Sequence, residues 1–124
     1  MDGTRFTTDH LWLRLDGTVA TIGLTRFAVD TLGDVALVHL PQPGQRVQAG
    51  GACAAIETVK AASDAPAPLD GVVLQANPAL ASKPALVSCD PEGAGWLYRL
   101  SLDGLDDFSL LMDRAAYRAF VDAL

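Results

Sequence analysis

The octapeptide ETVKAASD, residues 57–64, follows the short apolar run Ala52–Ile56, and a second such run, Val72–Leu74, comes soon after it. Strand-like runs that flank a short polar stretch are typical of a β-hairpin. Lys60, at the centre of the octapeptide, is one of only two lysines in the chain, against seven arginines. The pattern predicts that Lys60 lies at a tight turn, clear of the fold's own surface, as a lysine must be if an enzyme is to acylate it.

Strand and turn signals continue along the rest of the chain. Leu11–Asp16 and Val19–Leu24 flank an Asp-Gly pair, which predicts a tight hairpin. Thr25 is expected to cap a helix that runs to Leu32, and Gly33 is expected to end it. Alternation and bounding turn residues predict further strands over Val35–Leu40, Ala52–Thr58, Ala61–Ala65, Val72–Ala76 and Trp96–Leu102.

The last third of the chain has a different character. Asn77 to Gly95 contains three of the seven prolines and is predicted to form a long ordered loop or irregular segment. Asp113 is a plausible helix cap, and the apolar residues after it have helical spacing. These are Ala116, Phe120, Val121 and Leu124. Many short strands with tight turns and one final helix indicate an all-β fold with a short C-terminal helix.

Size and composition limit the alternatives. The chain has 124 residues, half of them hydrophobic and 19% charged, so we expect a single domain over residues 1–124 with a packed core. No apolar run approaches the length that spans a bilayer, and the N-terminus lacks the apolar core of a secretory signal. The sequence therefore predicts a cytoplasmic protein, or one trimmed of its targeting segment, with no membrane partner. The net charge of −6 makes nucleic acid an unsuitable partner and favours proteins with basic patches.

The cysteines and histidines do not form a recognisable catalytic or metal site. Cys53 and Cys89 are 36 positions apart, without zinc-like spacing. Cys53 is expected to be a small buried residue, and Cys89 an accessible one. His10 is expected to pack near Trp12, and His39 to lie on a strand face. We therefore predict no catalytic residue, no metal site and no independent enzymatic activity.

The octapeptide meets every position of the pattern E-[ST]-V-K-A-[AT]-S-D and resembles the lipoylation site of the glycine cleavage system H-protein family. The similarity covers the chain from about Phe6 to Phe120 with its spacing preserved. Besides the octapeptide, it rests on residues 10–12, 16–25, 32–35, 40–44, 77–80, 83–87, 95–96 and 112–120.

The resemblance implies a lipoyl-domain-like fold, a barrel-sandwich hybrid of two small antiparallel sheets that forms a lipoyl-carrier domain. It implies that lipoate is joined covalently to Lys60, with Glu57, Val59, Ala61 and Asp64 as the neighbouring residues of the attachment site. Asp64 matches one of the acidic positions with which the family shelters an amine cargo.

The resemblance also implies a monomeric carrier that moves an aminomethyl group and electrons between partner enzymes. These partners are glycine decarboxylase, aminomethyltransferase and dihydrolipoamide dehydrogenase, with a lipoate ligase or lipoyl transferase to attach the arm. A tethered arm raises the local concentration of its reactive end at each partner without any catalysis by the carrier.

The chain departs from the family pattern at a few positions. Leu11 replaces the glutamate of H-E-W, the second acidic position near the cargo, and an apolar side chain cannot pair with an ammonium. Cys89 and Glu92 lie in the late loop where the family commonly has N-x-x-P-Y-G-x-G-W. Val72 replaces a glutamate that is common after the glycine of the preceding turn.

Three other functions compete with this one. Biotin carriers use a similar hairpin, but their lysine lies between two methionines, whereas Val59 and Ala61 flank Lys60 here. An H-like lipoate-binding protein of sulfur oxidation or of lipoyl relay remains open, because loss of the acid at Leu11 fits a cargo that is not an amine. An unmodified adaptor that only binds proteins also remains open.

Overall fold

The computed structural model describes residues 3–124, which form two antiparallel sheets. The larger sheet has the strand order β1-β2-β3-β9-β8-β5. Its strands are β1 Arg5–Phe6, β2 Leu11–Asp16, β3 Val19–Leu24, β5 Arg46–Val47, β8 Gly71–Ala76 and β9 Tyr98–Leu102. The smaller sheet has the order β4-β6-β7, with β4 Val35–His39, β6 Ala54–Thr58 and β7 Ala62–Ala65.

Five helical segments connect or follow these strands within residues 3–124. They are α1 Arg26–Leu32, α2 Ala79–Ser82, α3 Leu86–Cys89, α4 Asp106–Ser109 and α5 Arg114–Asp122. The predicted β architecture with a C-terminal helix is confirmed, and three single-turn helices add to it. No helix of the described residues is long and apolar enough to cross a membrane.

The first hairpin forms as the Asp-Gly signal predicts. β2 and β3 pair from Leu11↔Leu24 to Asp16↔Val19, so the turn has two central residues. Gly17 occupies the first of them with φ 65°, a conformation that costs glycine little. Thr25 then caps α1 by accepting a hydrogen bond from the Ala28 amide, and Gly33 ends the helix, as predicted.

The two sheets share one core. Buried side chains of both contact each other in a single apolar cluster that includes Leu13, Ile22, Ile56, Val73 and Leu100. Leu11 belongs to this cluster and is 1% exposed. Burial of this apolar surface is the main stabilising term for a domain of this size.

The late segment is more regular than its composition indicated. Asn77–Gly95 was predicted to be a long ordered loop or irregular segment, and the structure adds two single-turn helices within it, α2 and α3. Pro78 and Pro84 come just before these two helical turns, where a missing amide hydrogen costs no hydrogen bond. The buried Asn77 then organises the segment, since its Nδ2 donates to the carbonyls of Ala94 and Trp96.

Strand ends differ by one or two residues from the prediction. β9 begins at Tyr98 instead of Trp96, because the Trp96 carbonyl accepts from the Asn77 side chain. β6 begins at Ala54 instead of Ala52, after a turn in which the Gly51 amide donates to the Gln48 carbonyl. β4 ends at His39 and β7 begins at Ala62, each one residue inside its predicted end.

The C-terminal helix begins as predicted and buries one face. The Asp113 carboxylate accepts from the Ala116 amide at 2.8 Å and caps α5. Of the apolar residues with helical spacing, Phe120 and Val121 are partly buried, whereas Ala116 and Leu124 are exposed. Tyr117 is the buried residue of α5, because its ring stacks on Phe6 at 4.6 Å.

The cysteines lie where they were expected, but His10 does not. Cys53 is partly buried and Cys89 is exposed. Burial raises the pKa of the Cys53 thiol, which makes it a poor nucleophile. His10 does not pack near Trp12; it contacts the aromatic rings of Phe27, Tyr117 and Phe120.

Candidate functional site

Lys60 lies at the tip of the β6–β7 hairpin. The strands pair from Ala54↔Ala65 to Glu57↔Ala62, and the Thr58 amide closes the turn by donating to the Ala61 carbonyl at 2.8 Å. The predicted position of Lys60 at a tight turn is confirmed.

Thr58 holds this turn through its side chain as well. Its hydroxyl oxygen accepts from the amides of Lys60 at 3.3 Å and Ala61 at 3.2 Å. These two amides would otherwise have only solvent as a partner, and Ser and Thr hydroxyls commonly satisfy such groups in turns. The site prediction omitted Thr58. The sequence pattern allows only Ser or Thr at this position, and that restriction was the signal that could have identified it.

The Lys60 side chain is presented to solvent. Lys60 is exposed, and Val59 beside it is 88% exposed. No ion pair in residues 3–124 involves the Lys60 ammonium. An unpaired amine on a tight turn can enter the active site of a modifying enzyme without breaking contacts of the fold.

An open cleft of about 440 Å³ lies beside the hairpin tip. One wall consists of Thr58, Val59 and Lys60. The opposite wall is the end of α1 and the residues that follow it, Asp30 to Asp34. Because Lys60 itself lines the cleft, a group attached to its amine can fold back against the protein.

The acidic residues of the predicted site have separate surroundings. Glu57 accepts a hydrogen bond from His39 Nε2 at 3.1 Å, and both side chains are about half exposed. Asp64 lies opposite Ala55 on the exposed edge strand β7 and lines a different groove with His39 and Cys53. Neither Glu57 nor Asp64 lines the cleft beside Lys60. Ala61, also in the predicted site, contributes only its backbone groups to the turn.

The cleft contains two carboxylates that sequence reasoning did not select. Asp30 lies on the last turn of α1 and is 3.8 Å from Arg26, while the exposed Asp34 follows the helix. They are 26 or more positions before Lys60, so only the fold brings them to it. Leu11, where the family has glutamate, is instead packed into the core.

Glu92 and Cys89, the two late-loop residues that depart from the family pattern, contact the first residue of α1. The Glu92 carboxylate accepts from the Arg26 amide at 2.8 Å, in the first turn of α1. The Arg26 guanidinium in turn donates to the carbonyls of Ser88 and Cys89. A carboxylate at a helix N-terminus satisfies a free amide and interacts favourably with the helix dipole. Glu92 therefore has a structural role at the helix that forms one cleft wall.

Comparison with known proteins identifies the family of this chain. Residues 4–123 match the family model described as glycine cleavage H-protein. The chain is 49% identical over 124 residues to the glycine cleavage system H protein of Acidiphilium cryptum, with both chains fully covered. It is 50% identical over 117 residues to that of Phenylobacterium zucineum, covering 94% of this chain and 97% of the relative.

A solved structure agrees with these matches. The crystal structure of a glycine cleavage system H protein from Mycobacterium marinum superposes with a TM-score of 0.87 at 33% identity, covering 100% of this chain and 99% of the other. A match over the whole length in sequence and in fold is specific to the family. The chain belongs to the glycine cleavage H-protein family.

Proposed function

We propose that Lys60 is the lipoyl attachment site of this protein. The observation that carries the proposal is the exposed, unpaired amine of Lys60 on a turn that Thr58 closes, within the sequence ETVKAASD. A modifying enzyme needs an accessible acceptor in a fixed backbone geometry, and the hairpin provides both. Glu57, Val59, Ala61 and Asp64 are the proposed flanking residues that a lipoate ligase or lipoyl transferase contacts.

As a member of the H-protein family, the chain is a carrier component of the glycine cleavage system and not an enzyme. Its proposed partners are glycine decarboxylase, aminomethyltransferase and dihydrolipoamide dehydrogenase. Lipoate on Lys60 would supply a dithiolane that takes up a group and two electrons by disulfide exchange. The polypeptide contributes the tether, which raises the effective concentration at each partner. A monomeric carrier in the cytoplasm completes the proposal.

The cleft beside Lys60 suits a cargo that carries an amine. Asp30 and Asp34 place two carboxylates on the wall opposite the hairpin tip. An aminomethyl group is cationic near neutral pH, so carboxylates at the cleft favour its folded-back position over the extended one. We infer that these residues provide the negative charge that Leu11 does not.

Intact mass tests the attachment site directly. We expect the protein, incubated with a lipoate ligase, lipoate and ATP, to gain the mass of one lipoyl group, with the modified peptide containing Lys60. Uptake on Lys83, or no uptake by folded protein, would contradict the proposal.

The cargo is tested by exchange of bicarbonate into glycine. We expect the lipoylated protein to support this exchange with glycine decarboxylase, whereas the unlipoylated protein does not. A lipoylated protein that supports none would instead favour the H-like carrier of sulfur oxidation or lipoyl relay.

Replacing Asp34 by asparagine should shorten the lifetime of the aminomethyl-loaded protein. An exposed charge pair contributes roughly 0.2–1 kcal/mol, so we expect release of the cargo to accelerate by up to about fivefold at low salt. The difference should shrink at high salt because screening weakens the pair. Asp107→Asn, an equal change of charge on the exposed face of α4, is the control. Equal release rates in the two variants would contradict a role for Asp34.

A further inference from the structure

A buried chain of hydrogen bonds joins the C-terminal helix to α1. The Tyr117 hydroxyl lies 2.8 Å from Thr25 Oγ1 and 2.8 Å from His10 Nδ1. Thr25 Oγ1 also accepts from the Ala28 amide at 3.2 Å, as the cap of α1. Thr25 is 1% exposed and Tyr117 is 8% exposed, so solvent does not readily replace either partner.

One direction of donation gives every hydroxyl of this chain an acceptor. Thr25 Oγ1 accepts from the Ala28 amide and can donate to Tyr117, which leaves the Tyr117 hydroxyl to donate to His10 Nδ1. Burial lowers the pKa of His10 below its ordinary value, against the opposing charge of Asp9, and so favours the neutral ring that accepts here. Every hydroxyl in the chain then has a partner.

The His10 backbone also takes part in this chain of contacts. Its φ of 64° is the only positive value at a non-glycine residue among residues 3–124. Such a conformation is costly for a residue with a Cβ and persists where the surroundings enforce it. Here the His10 carbonyl accepts from the Thr25 amide at 3.0 Å, and its ring meets Tyr117. The strained residue therefore joins the start of α1 to α5.

The position of α1 matters because its other end forms a wall of the Lys60 cleft. α1 has only seven residues, so it is about 10 Å long and moves as one body. At its start, the cap Thr25 contacts Tyr117 and the Arg26 amide contacts Glu92. Its last turn and the residues after it face Lys60. A shift of the first turn is therefore transmitted to the cleft wall.

We propose that Tyr117 is a positioning residue through which the C-terminal helix sets α1, and with it the cleft wall that faces Lys60. The consequence for the lipoyl arm rests on the proposed function of Lys60; the positioning of α1 does not.

Hydrogen exchange of the unmodified protein tests the positioning. Tyr117→Phe keeps the ring that stacks on Phe6 and removes only the hydroxyl. We expect the amides of Ala28, Val29 and Gly33 to exchange about fivefold faster, the factor that corresponds to one ordinary hydrogen bond. Amides of the β6–β7 hairpin should not change. Tyr98→Phe, which removes a buried hydroxyl beside Cys53 in the larger sheet, is the matched control and should leave α1 unchanged.

Variants of Thr25 test the chain from its other end. Thr25→Ser keeps the hydroxyl and should exchange as the unaltered protein does. Thr25→Val removes the α1 cap as well as the bond to Tyr117, so α1 should exchange at least as fast as in Tyr117→Phe. The double variant should exchange no faster than about the Thr25→Val variant, because the bond between positions 25 and 117 is already absent there. Unchanged α1 exchange in Tyr117→Phe, or equal acceleration in Tyr98→Phe, would overturn the proposal.

The lipoylated protein tests the consequence at the cleft. Release of the aminomethyl group should be faster in Tyr117→Phe than in Tyr98→Phe, by up to about the same fivefold factor. Faster α1 exchange with equal release would show that α1 does not shelter the arm and would overturn this part. Because the exchange measurement needs no lipoate, it decides the role of Tyr117 even if Lys60 proves to be unmodified.

Discussion

Arginine at position 60 is expected to leave the protein folded but unable to accept lipoate or to act as a carrier. The guanidinium keeps the positive charge and the approximate length of the side chain, but it stays protonated and is not an acceptor amine. Lys60 is exposed and makes no ion pair in residues 3–124, so its loss should change the unfolding free energy by less than about 0.5 kcal/mol. Intact mass after treatment with ligase, and glycine–bicarbonate exchange, measure the result.

Lys83→Arg is the matched control, because Lys83 is the only other lysine and is also exposed. It should be lipoylated at the normal rate. A Lys60→Arg protein that still gains a lipoyl group, or still supports exchange, would refute the assignment of Lys60.

Trp12→Ala is expected to cause a large loss of stability. The indole is 1% exposed, and its Nε1 donates to the Pro91 carbonyl at 2.9 Å, which links β2 to the late loop. Truncation of a buried tryptophan costs about 3–5 kcal/mol, a large part of the roughly 5–15 kcal/mol that stabilises a typical domain. Urea unfolding followed by circular dichroism gives the measurement.

The Trp12 indole also determines the expected effect of adding a side chain at Gly23. Gly23 pairs with Trp12 across the hairpin, and a Cβ at position 23 would lie 2.7 Å from the indole. Gly23→Ala should therefore cost about 1–3 kcal/mol through overpacking in the unaltered protein. In the Trp12→Ala background the space is free, and the same change should be neutral or stabilising, since alanine suits a strand better than glycine.

Gly104→Ala is the control for this pair, because a Cβ there meets no atom within 4 Å. It should have the same small effect in both backgrounds. A Gly23→Ala cost that persists without the indole would show that the ring contact is not its cause.

Local structure was predicted best where neighbouring residues decide it. The Asp-Gly pair defined the β2–β3 hairpin to the residue, and Thr25 and Gly33 defined both ends of α1. These features depend on backbone conformations and caps that form within a few residues. The turn that presents Lys60 belongs to the same class, since Thr58 closes it locally.

Features that depend on distant partners were predicted poorly. The helical spacing after Asp113 selected Ala116, Phe120, Val121 and Leu124 but not Tyr117, which is buried because Phe6 and Thr25 lie beneath it. The prolines of Asn77–Gly95 predicted a long ordered loop or irregular segment, and its two single-turn helices were missed. The Asn77 side chain, which binds the Ala94 and Trp96 carbonyls, orders that segment.

The sequence by itself determined that Lys60 sits on a hairpin in an octapeptide typical of lipoylation, because a turn and its motif are contained in adjacent residues. Only the tertiary structure decided what faces Lys60. Asp30 and Asp34 reach the cleft because α1 lies beside the hairpin, and α1 is held by Glu92 and Tyr117 from the last third of the chain. Contacts between residues so far apart arise when the two sheets close around one core, and no local pattern encodes them.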